Sequence, residues 1–256
     1  MKSPEMILES TIEIGYHKIE KNFLAKAILG FIGGAMISLG YLLYVRIAAS
    51  GLEVFGSFSS ILGASAFPIG LIIILMAGGE LITGNMMAVS AAYFAKKVSF
   101  QELLKNWLVI TLFNLVGAFF VAYVFGHFLG LTSTGIFKKE VIEVAHAKIA
   151  ASPLQAFVSG IGCNWFVGLA LWLNYAAKDA SGKILGIWFP VMTFVALGFQ
   201  HSVANAFIIP AAIFENGASW LDFIKNFIFV YLGNIIGGAV FVSLFYYLAF
   251  NHPKED

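Results

Sequence analysis

The sequence specifies an all-α integral membrane protein of six transmembrane helices, built as two inverted three-helix repeats whose second and fifth helices are broken. Three observations predict this. The chain of 256 residues is 60% hydrophobic and only 11% charged. A soluble domain carries roughly a quarter charged residues, so lipid is the natural solvent for this much apolar surface. Six apolar segments are each long enough to cross a bilayer, which takes about 20 residues in a helix. Finally, the chain resembles itself when slid by 120 residues.

The elements follow in order. Residues 1–22 precede the first apolar segment and are mixed in character. Ser3 is placed to cap a helix and Pro4 suits its first position. Leu8, Ile12, Ile19 and Phe23 recur near helical spacing, with Glu5, Glu9, Glu13 and Glu20 elsewhere. This predicts an amphipathic helix anchored on the cytoplasmic membrane surface. The stretch lacks the apolar core and small-residue site of a cleavable signal. The first span is 23–45, ending at Arg46. The second, 61–95, is apolar over 35 positions, too long for one crossing. Spans 107–129 and 153–177 are of ordinary length. The fifth, 184–214, is again long at 31 residues, and 227–250 is the last. The reading is a single transmembrane domain over 1–256, with repeat one at 23–130 and repeat two at 150–250.

Orientation follows from Lys and Arg in the loops. One side holds Lys2, Lys18, Lys21, Lys26, Lys96, Lys97, Lys105, Lys178, Lys183 and Lys254. The other holds Arg46, Lys138, Lys139, Lys148 and Lys225. Ten against five places both termini in the cytoplasm. The formal net charge of +1 points away from a nucleic-acid partner, and the single Cys163 allows no intrachain disulfide. There is no phosphate-cradling loop and no His/Cys cluster at metal spacing, so neither a metal nor another cofactor is expected.

The repeat is the most informative feature. A shift of 120 lays Gly78-Gly-Glu80-Leu-Ile-Thr83-Gly-Asn85 on Gly198-Phe-Gln200-His201-Ser-Val-Ala-Asn205. It also lays Asn114-Leu-Val-Gly117 on Asn234-Ile-Ile-Gly237. A shift near 130 lays Gly30 on Gly160. Three spans per half is an odd number, so the halves must be inverted, as in many transporters and channels. The two overlong spans are mates, and each carries glycine and polar residues in mid-membrane. Breaking a helix frees backbone groups that lipid cannot satisfy, so such breaks belong where they line a cavity. Paired breaks at matching places point to a substrate site near the midplane.

Glu80 and His201 are the readily ionisable side chains inside the overlong spans, and intramembrane ionisable residues mark function. Glu80 reads better as loop support, because its mate is the neutral Gln200. His201 has no such mate, since Leu81 stands opposite it. An imidazole titrates near pH ~6.5, and an apolar pore favours its neutral form. It could give a hydrogen bond or a proton to an anion; the alternative is a packed histidine with a backbone partner. Thr83 offers a hydroxyl, and Asn85 and Asn205 offer amides. Asn114 and Asn234 read as interhelical ties. Lys148, just ahead of the fourth span, reads as a snorkelling interfacial lysine. Ser159-Gly160 with His201 faintly suggests an intramembrane hydrolase, but Phe157 stands where a glycine is expected. A water or glycerol channel would want Asn-Pro-Ala at both breaks. Here Met86 and Met87 follow Asn85, and Ala206 and Phe207 follow Asn205. A transporter, not an enzyme, is the reading.

At Glu80-Leu-Ile-Thr-Gly-Asn85, Gly162-Cys-Asn-Trp165 and Gly198-Phe-Gln-His-Ser-Val-Ala-Asn205 the chain resembles the formate/nitrite transporter family. The resemblance spans 23–247. Lys183-Ile-Leu-Gly-Ile-Trp-Phe-Pro190 makes it most similar to the formate transporters associated with formate dehydrogenase. The resemblance implies an aquaporin-like protomer and a homopentamer with one pore per protomer. It implies a bacterial or archaeal cytoplasmic membrane, and formate or a similar small weak-acid anion, with a proton, as cargo. Nitrite, hydrosulfide, acetate and lactate are the rival substrates. By resemblance, His201, Thr83 and Asn205 line the centre of the path. Phe67, Leu81 and Phe194 form one apolar constriction and Leu71 another. Lys148 attracts the anion, with Asn164 as its neighbour, which replaces the snorkelling reading. The sequence departs from many members in having Gln200, not Glu, before the pore histidine.

Overall fold

A computed structural model describes residues 1–251; Lys254, counted above, lies outside them. Among the described residues every regular element is a helix. α1 (Pro4–Glu20) begins at Ser3, whose hydroxyl accepts from Met6 N–H. α2 (Phe23–Phe55) is the first crossing. The second is divided into α3 (Phe58–Ala66), α4 (Ile69–Ala77) and α5 (Ile82–Phe94). α6 (Phe100–Phe120) continues through wider π-helical turns at Val121–Phe128. α7 (Gly135–Ile149) connects the halves. α8 (Pro153–Ala176), the pair α9 (Ala180–Ala196) and α10 (Ser202–Phe214), and α11 (Trp220–Ile235) follow. α11 passes through π turns at Ile236–Leu244 into α12 (Phe245–Phe250).

Five stretches are long and apolar enough to cross a bilayer: Phe23–Phe55, Phe58–Ala77, Phe100–Phe128, Pro153–Ala176 and Trp220–Phe250. The fifth span is broken, as the sequence reading has it, into two shorter apolar helices, α9 and α10, with the interruption between them. The second span is broken twice in register, by a kink at Phe67–Pro68 and by a true interruption at 78–81.

The halves match in backbone detail. Gly78 and Gly198, mates under the 120-residue shift, have φ of 106° and 73°. This is a left-handed turn open to glycine at little cost. Lys96 and Asn216, also mates, have φ of 58° and 61°. Gly117 and Gly237 sit where a Cβ would lie 2.2 Å from Phe31 O and 2.4 Å from Ile161 O. Helices in lipid gain little from the hydrophobic effect and associate by close backbone packing, which small residues allow.

Three points differ from the sequence reading. α2 does not stop at Arg46. Its guanidinium lies 3.3 Å above the Phe137 ring and donates to Leu131 O at 3.3 Å, so α7 and the turn before it satisfy the charge. α7 was not foreseen, because its mixed composition gives no apolar run. α1 does not spend its apolar face on lipid. Ile7, Leu8 and Ile12 are buried in a cluster with Ala91, Trp172 and Ala176, and Gly15 lies against Ala88 O of α5.

Candidate functional site

The two interruptions are held by the same device. Asn114 Oδ1 accepts from Ile82 N–H at 2.8 Å, and its Nδ2 donates to Gly30 O and Glu80 O at 2.7 and 2.8 Å. Asn234 Oδ1 accepts from Ser202 N–H at 2.9 Å, and its Nδ2 donates to Gly160 O and Gln200 O at 2.8 and 3.2 Å. Each fully buried asparagine thus replaces the helical partners that the break removes. The starts of α5 and α10 meet where Thr83 touches His201.

His201 caps α10. Its Nδ1 accepts from Ala204 N–H at 3.1 Å, which makes that nitrogen a lone-pair acceptor. A neutral imidazole so placed carries its proton on Nε2. Nε2 lies 2.9 Å from Thr83 Oγ1, so the ring donates to the threonine hydroxyl, whose own proton is left to turn elsewhere. The break of one half is joined to the break of the other by this bond. Asn205, one turn into α10, donates to Gln200 Oε1 and Asn226 Oδ1, both at 2.8 Å. Among the described residues its own Oδ1, which is buried, has no hydrogen bond.

A cavity of about 200 Å³ reaches His201 and Asn205 from the α7 face; Thr83 is fully buried and does not line it. Lys148, Tyr41, Phe67, Phe194, His201 and Asn205 are in its wall. Lys148 is half-buried and donates to Gly198 O at 3.0 Å. Loss of water around its ammonium pushes it down to about 8. Phe67 and Phe194 meet edge to face with centroids 5.9 Å apart, and the His201 ring stacks on Phe194 at 6.1 Å. Leu71 and Leu81 are buried in the same core but do not line this cavity. Asn164 does not line it either. It donates to Thr83 O at 3.2 Å and Asn234 O at 2.7 Å, tying the two halves together.

Gln200 is committed to scaffolding. Its Oε1 accepts from Asn205 and Asn226, its Nε2 donates to Lys148 O at 3.2 Å, and its N–H donates to Ser159 Oγ. Ser159 therefore serves the loop, and the imidazole is bonded to Thr83 instead. Glu80 is buried on the α1 face, with Lys18 Nζ at 2.7 Å and Lys21 Nζ at 3.3 Å. The sequence reading took Glu80 as loop support and missed its lysine partners. It also missed Asn106 and Asn226, whose amides bond Lys18 O and Lys148 O. The signal was present. Ile12-Glu-Ile-Gly-Tyr-His-Lys18-Ile19 aligns with Ile142-Glu-Val-Ala-His-Ala-Lys148-Ile149 at a shift of 130, and Asn106 meets Asn226 at 120. Tyr41 was missed because one aromatic in an apolar span carries no pattern.

A funnel of this kind can attract an anion with one lysine, strip its water against aromatic rings, and offer donors and an acceptor at the midplane. The family model described as formate/nitrite transporter matches residues 5–248. The chain is 52% identical to "Uncharacterized transporter YrhG" of Bacillus subtilis (strain 168), over 99% of this chain and 95% of that one. It is 48% identical to "Formate channel BtFdhC" of Bacillus thuringiensis, over 99% and 97%. A solved structure, "Pentameric formate channel with formate bound", superposes with a TM-score of 0.78 at 28% identity, over 90% of this chain and 98% of that one. With the motifs at both breaks and a match over nearly its whole length, this chain belongs to the formate/nitrite transporter family.

Proposed function

We propose that the chain forms a homopentameric formate channel in a bacterial or archaeal cytoplasmic membrane, with one path per protomer and both termini inside. The relatives named above support the substrate and assembly. The observation that carries the chemistry is that Lys148, the Phe67–Phe194 pair and His201 share one cavity. Formate arrives as an anion and is held at Lys148. An ion moving on into an apolar passage loses hydration worth many kcal/mol, so the neutral acid is the form that passes. The same desolvation raises the carboxylate's proton affinity, so uptake of a proton is favoured where water is thinning.

The proton comes from water in the vestibule. His201 cannot store it without breaking the Ala204 bond at Nδ1. Its task is to hold Thr83 Oγ1 as an acceptor, which turns the threonine O–H toward the path. Neutral formic acid needs one donor and one acceptor. Thr83 O–H supplies the first and the unpaired Asn205 Oδ1 the second. A bare formate ion would find no use for that acceptor. Phe67, Leu81 and Phe194 exclude water on one side of the midplane and Leu71 on the other. Transport of this kind calls for no reaction on the substrate beyond proton exchange.

The test is uptake into proteoliposomes, following internal pH and labelled formate together, with nitrite and hydrosulfide as competitors. Formate entry accompanied by one proton, rising as external pH falls, is the expected result. Formate flux without proton movement removes the protonation step. Fast hydrosulfide flux with none of formate changes the substrate.

A further inference from the structure

Tyr41 sits in mid-α2 and is 6% exposed. Its ring packs edge-on against Phe67 and Tyr44, both at 5.5 Å, and tilted on Phe207 at 6.1 Å. A buried tyrosine hydroxyl ordinarily finds a hydrogen-bond partner. The hydroxyl of Tyr231, for example, is bonded to that of Thr111 at 2.8 Å. The hydroxyl of Tyr41 has no partner among the described residues, yet Tyr41 lines the cavity that holds Lys148 and His201. The aromatic contacts fix the ring, so the hydroxyl is held in place without a bond of its own. This is the arrangement of a preorganised donor waiting for a ligand.

We propose that Tyr41 is a positioning residue for small oxyanions, donating its phenolic O–H to one oxygen of the anion drawn in by Lys148. The proposal rests on the reading of this cavity as the anion's route. It deepens that reading by assigning the selection step. A carboxylate or nitrite oxygen is a strong acceptor at a fixed angle from its partner oxygen, so two donors, an ammonium and a phenol, can hold it in one orientation. Hydrosulfide carries the same charge, but sulfur is a weak acceptor. Lys148 alone treats the two classes alike; Tyr41 separates them. A site that donates to a substrate oxygen discriminates against an analogue lacking that acceptor more sharply than an apolar wall can.

The test is Tyr41→Phe, which keeps the ring and its packing on Phe67, Tyr44 and Phe207. Purified wild-type and Y41F channels go into proteoliposomes, and the half-saturation concentration is measured for formate, nitrite and hydrosulfide. The expected result is about a tenfold rise for formate and for nitrite, with hydrosulfide unchanged within twofold. A parallel loss for all three substrates marks Tyr41 as structural and overturns the proposal. Unchanged values for all three overturn it as well. A wild-type channel that carries nitrite but no formate defeats the formate reading alone, and Tyr41 is then judged on nitrite against hydrosulfide. A wild-type channel that carries neither oxyanion defeats both. Tyr41→Leu supplies the control: it removes ring and hydroxyl together, and is expected to raise hydrosulfide flux by widening the wall while formate affinity falls.

Discussion

Lys18 and Lys148 occupy equivalent places in the two halves. The backbone carbonyl of each accepts from the amide of a buried asparagine, Asn106 at 3.4 Å and Asn226 at 3.0 Å. Their ammonium groups fare differently because the mates Glu80 and Gln200 differ. Lys18 is neutralised by a carboxylate at 2.7 Å, whereas among the described residues Lys148 meets only a carbonyl, at 3.0 Å. The protein is near-symmetric in backbone and asymmetric in charge, with an uncompensated cation at the α7 face.

Breaking the Lys18–Glu80 pair on one side should therefore destabilise the fold. The side chains are 11% and 3% exposed. Removing one partner of a buried pair leaves an uncompensated charge and costs about 3–5 kcal/mol. Glu80→Gln should destabilise by that order, seen as a lower thermal midpoint in detergent, since it strands both Lys18 and the nearby Lys21. Lys18→Met should cost less, because Lys21 still faces Glu80 at 3.3 Å. The double variant Lys18→Met/Glu80→Gln should recover much of the loss. Additive losses in the double variant would show that the two groups do not interact.

The break-holding asparagines should be as important as any pathway residue. Asn114 and Asn234 each satisfy three buried backbone groups. An unmet buried group costs about 1–3 kcal/mol. Asn114→Ala and Asn234→Ala should each destabilise by roughly 3–9 kcal/mol on that count, with losses of similar size because the devices are mates. Chemical denaturation of the two variants, compared side by side, checks both magnitude and equality.

Much of this was legible in the sequence for physical reasons. Apolar runs report the solvent, so the spans could be read. Gly78 and Gly198 mark the breaks because a left-handed backbone selects glycine, and Asn114 and Asn234 stand out because lipid tolerates amides only where they bond. The 120-residue repeat carried the architecture. What escaped were features without a pattern of their own. α7 is neither apolar nor periodic enough to announce a helix. Its kinship to α1 was hidden because that match runs at 130 residues, not 120. Arg46 looked like a span end because a cation–π partner 91 positions away cannot be seen along the chain. Asn164 was assigned by resemblance to the neighbourhood of Lys148, and its amide instead ties Thr83 O to Asn234 O. Tyr41 is silent because an unsatisfied hydroxyl is a property of the packed interior alone.

The state of His201 can be tested directly. Ala204 N–H occupies Nδ1, so the ring should remain neutral with its proton on Nε2. Solid-state ¹⁵N spectra of channel labelled at histidine, compared with Ala and Asn substitutions to assign position 201, should show one protonated and one bare nitrogen from pH 8 down to 5. Two protonated nitrogens at pH 6 would sink the view that vestibular water, not imidazole, is the proton source. His201→Asn should keep the cap, since Asn is a favoured N-cap, and lose the bond to Thr83. Formate flux should fall at least about tenfold with the fold intact.

Lys148 sets the pH at which the α7 mouth loses its attraction for anions. Its ammonium titrates near 8 because water around it is scarce. Below that value the group is charged and holds formate; as pH on the α7 side rises through it, the charge is lost and affinity falls. The falling proton concentration also slows a route that carries the neutral acid, so the lysine's share must be separated by mutation. Lys148→Met should weaken formate binding at pH 7 by about tenfold or more, as expected when a charged hydrogen bond is removed. It should also remove the step near pH 8, leaving only the smooth decline due to the proton. Lys148→Arg keeps a charge that does not titrate in this range, and should move the step out of reach while preserving affinity at pH 7. Half-saturation constants at fixed internal pH, with external pH varied from 6 to 9, separate the three channels. A wild-type curve indistinguishable in shape from that of Lys148→Met would mean that the lysine's charge plays no part in capture.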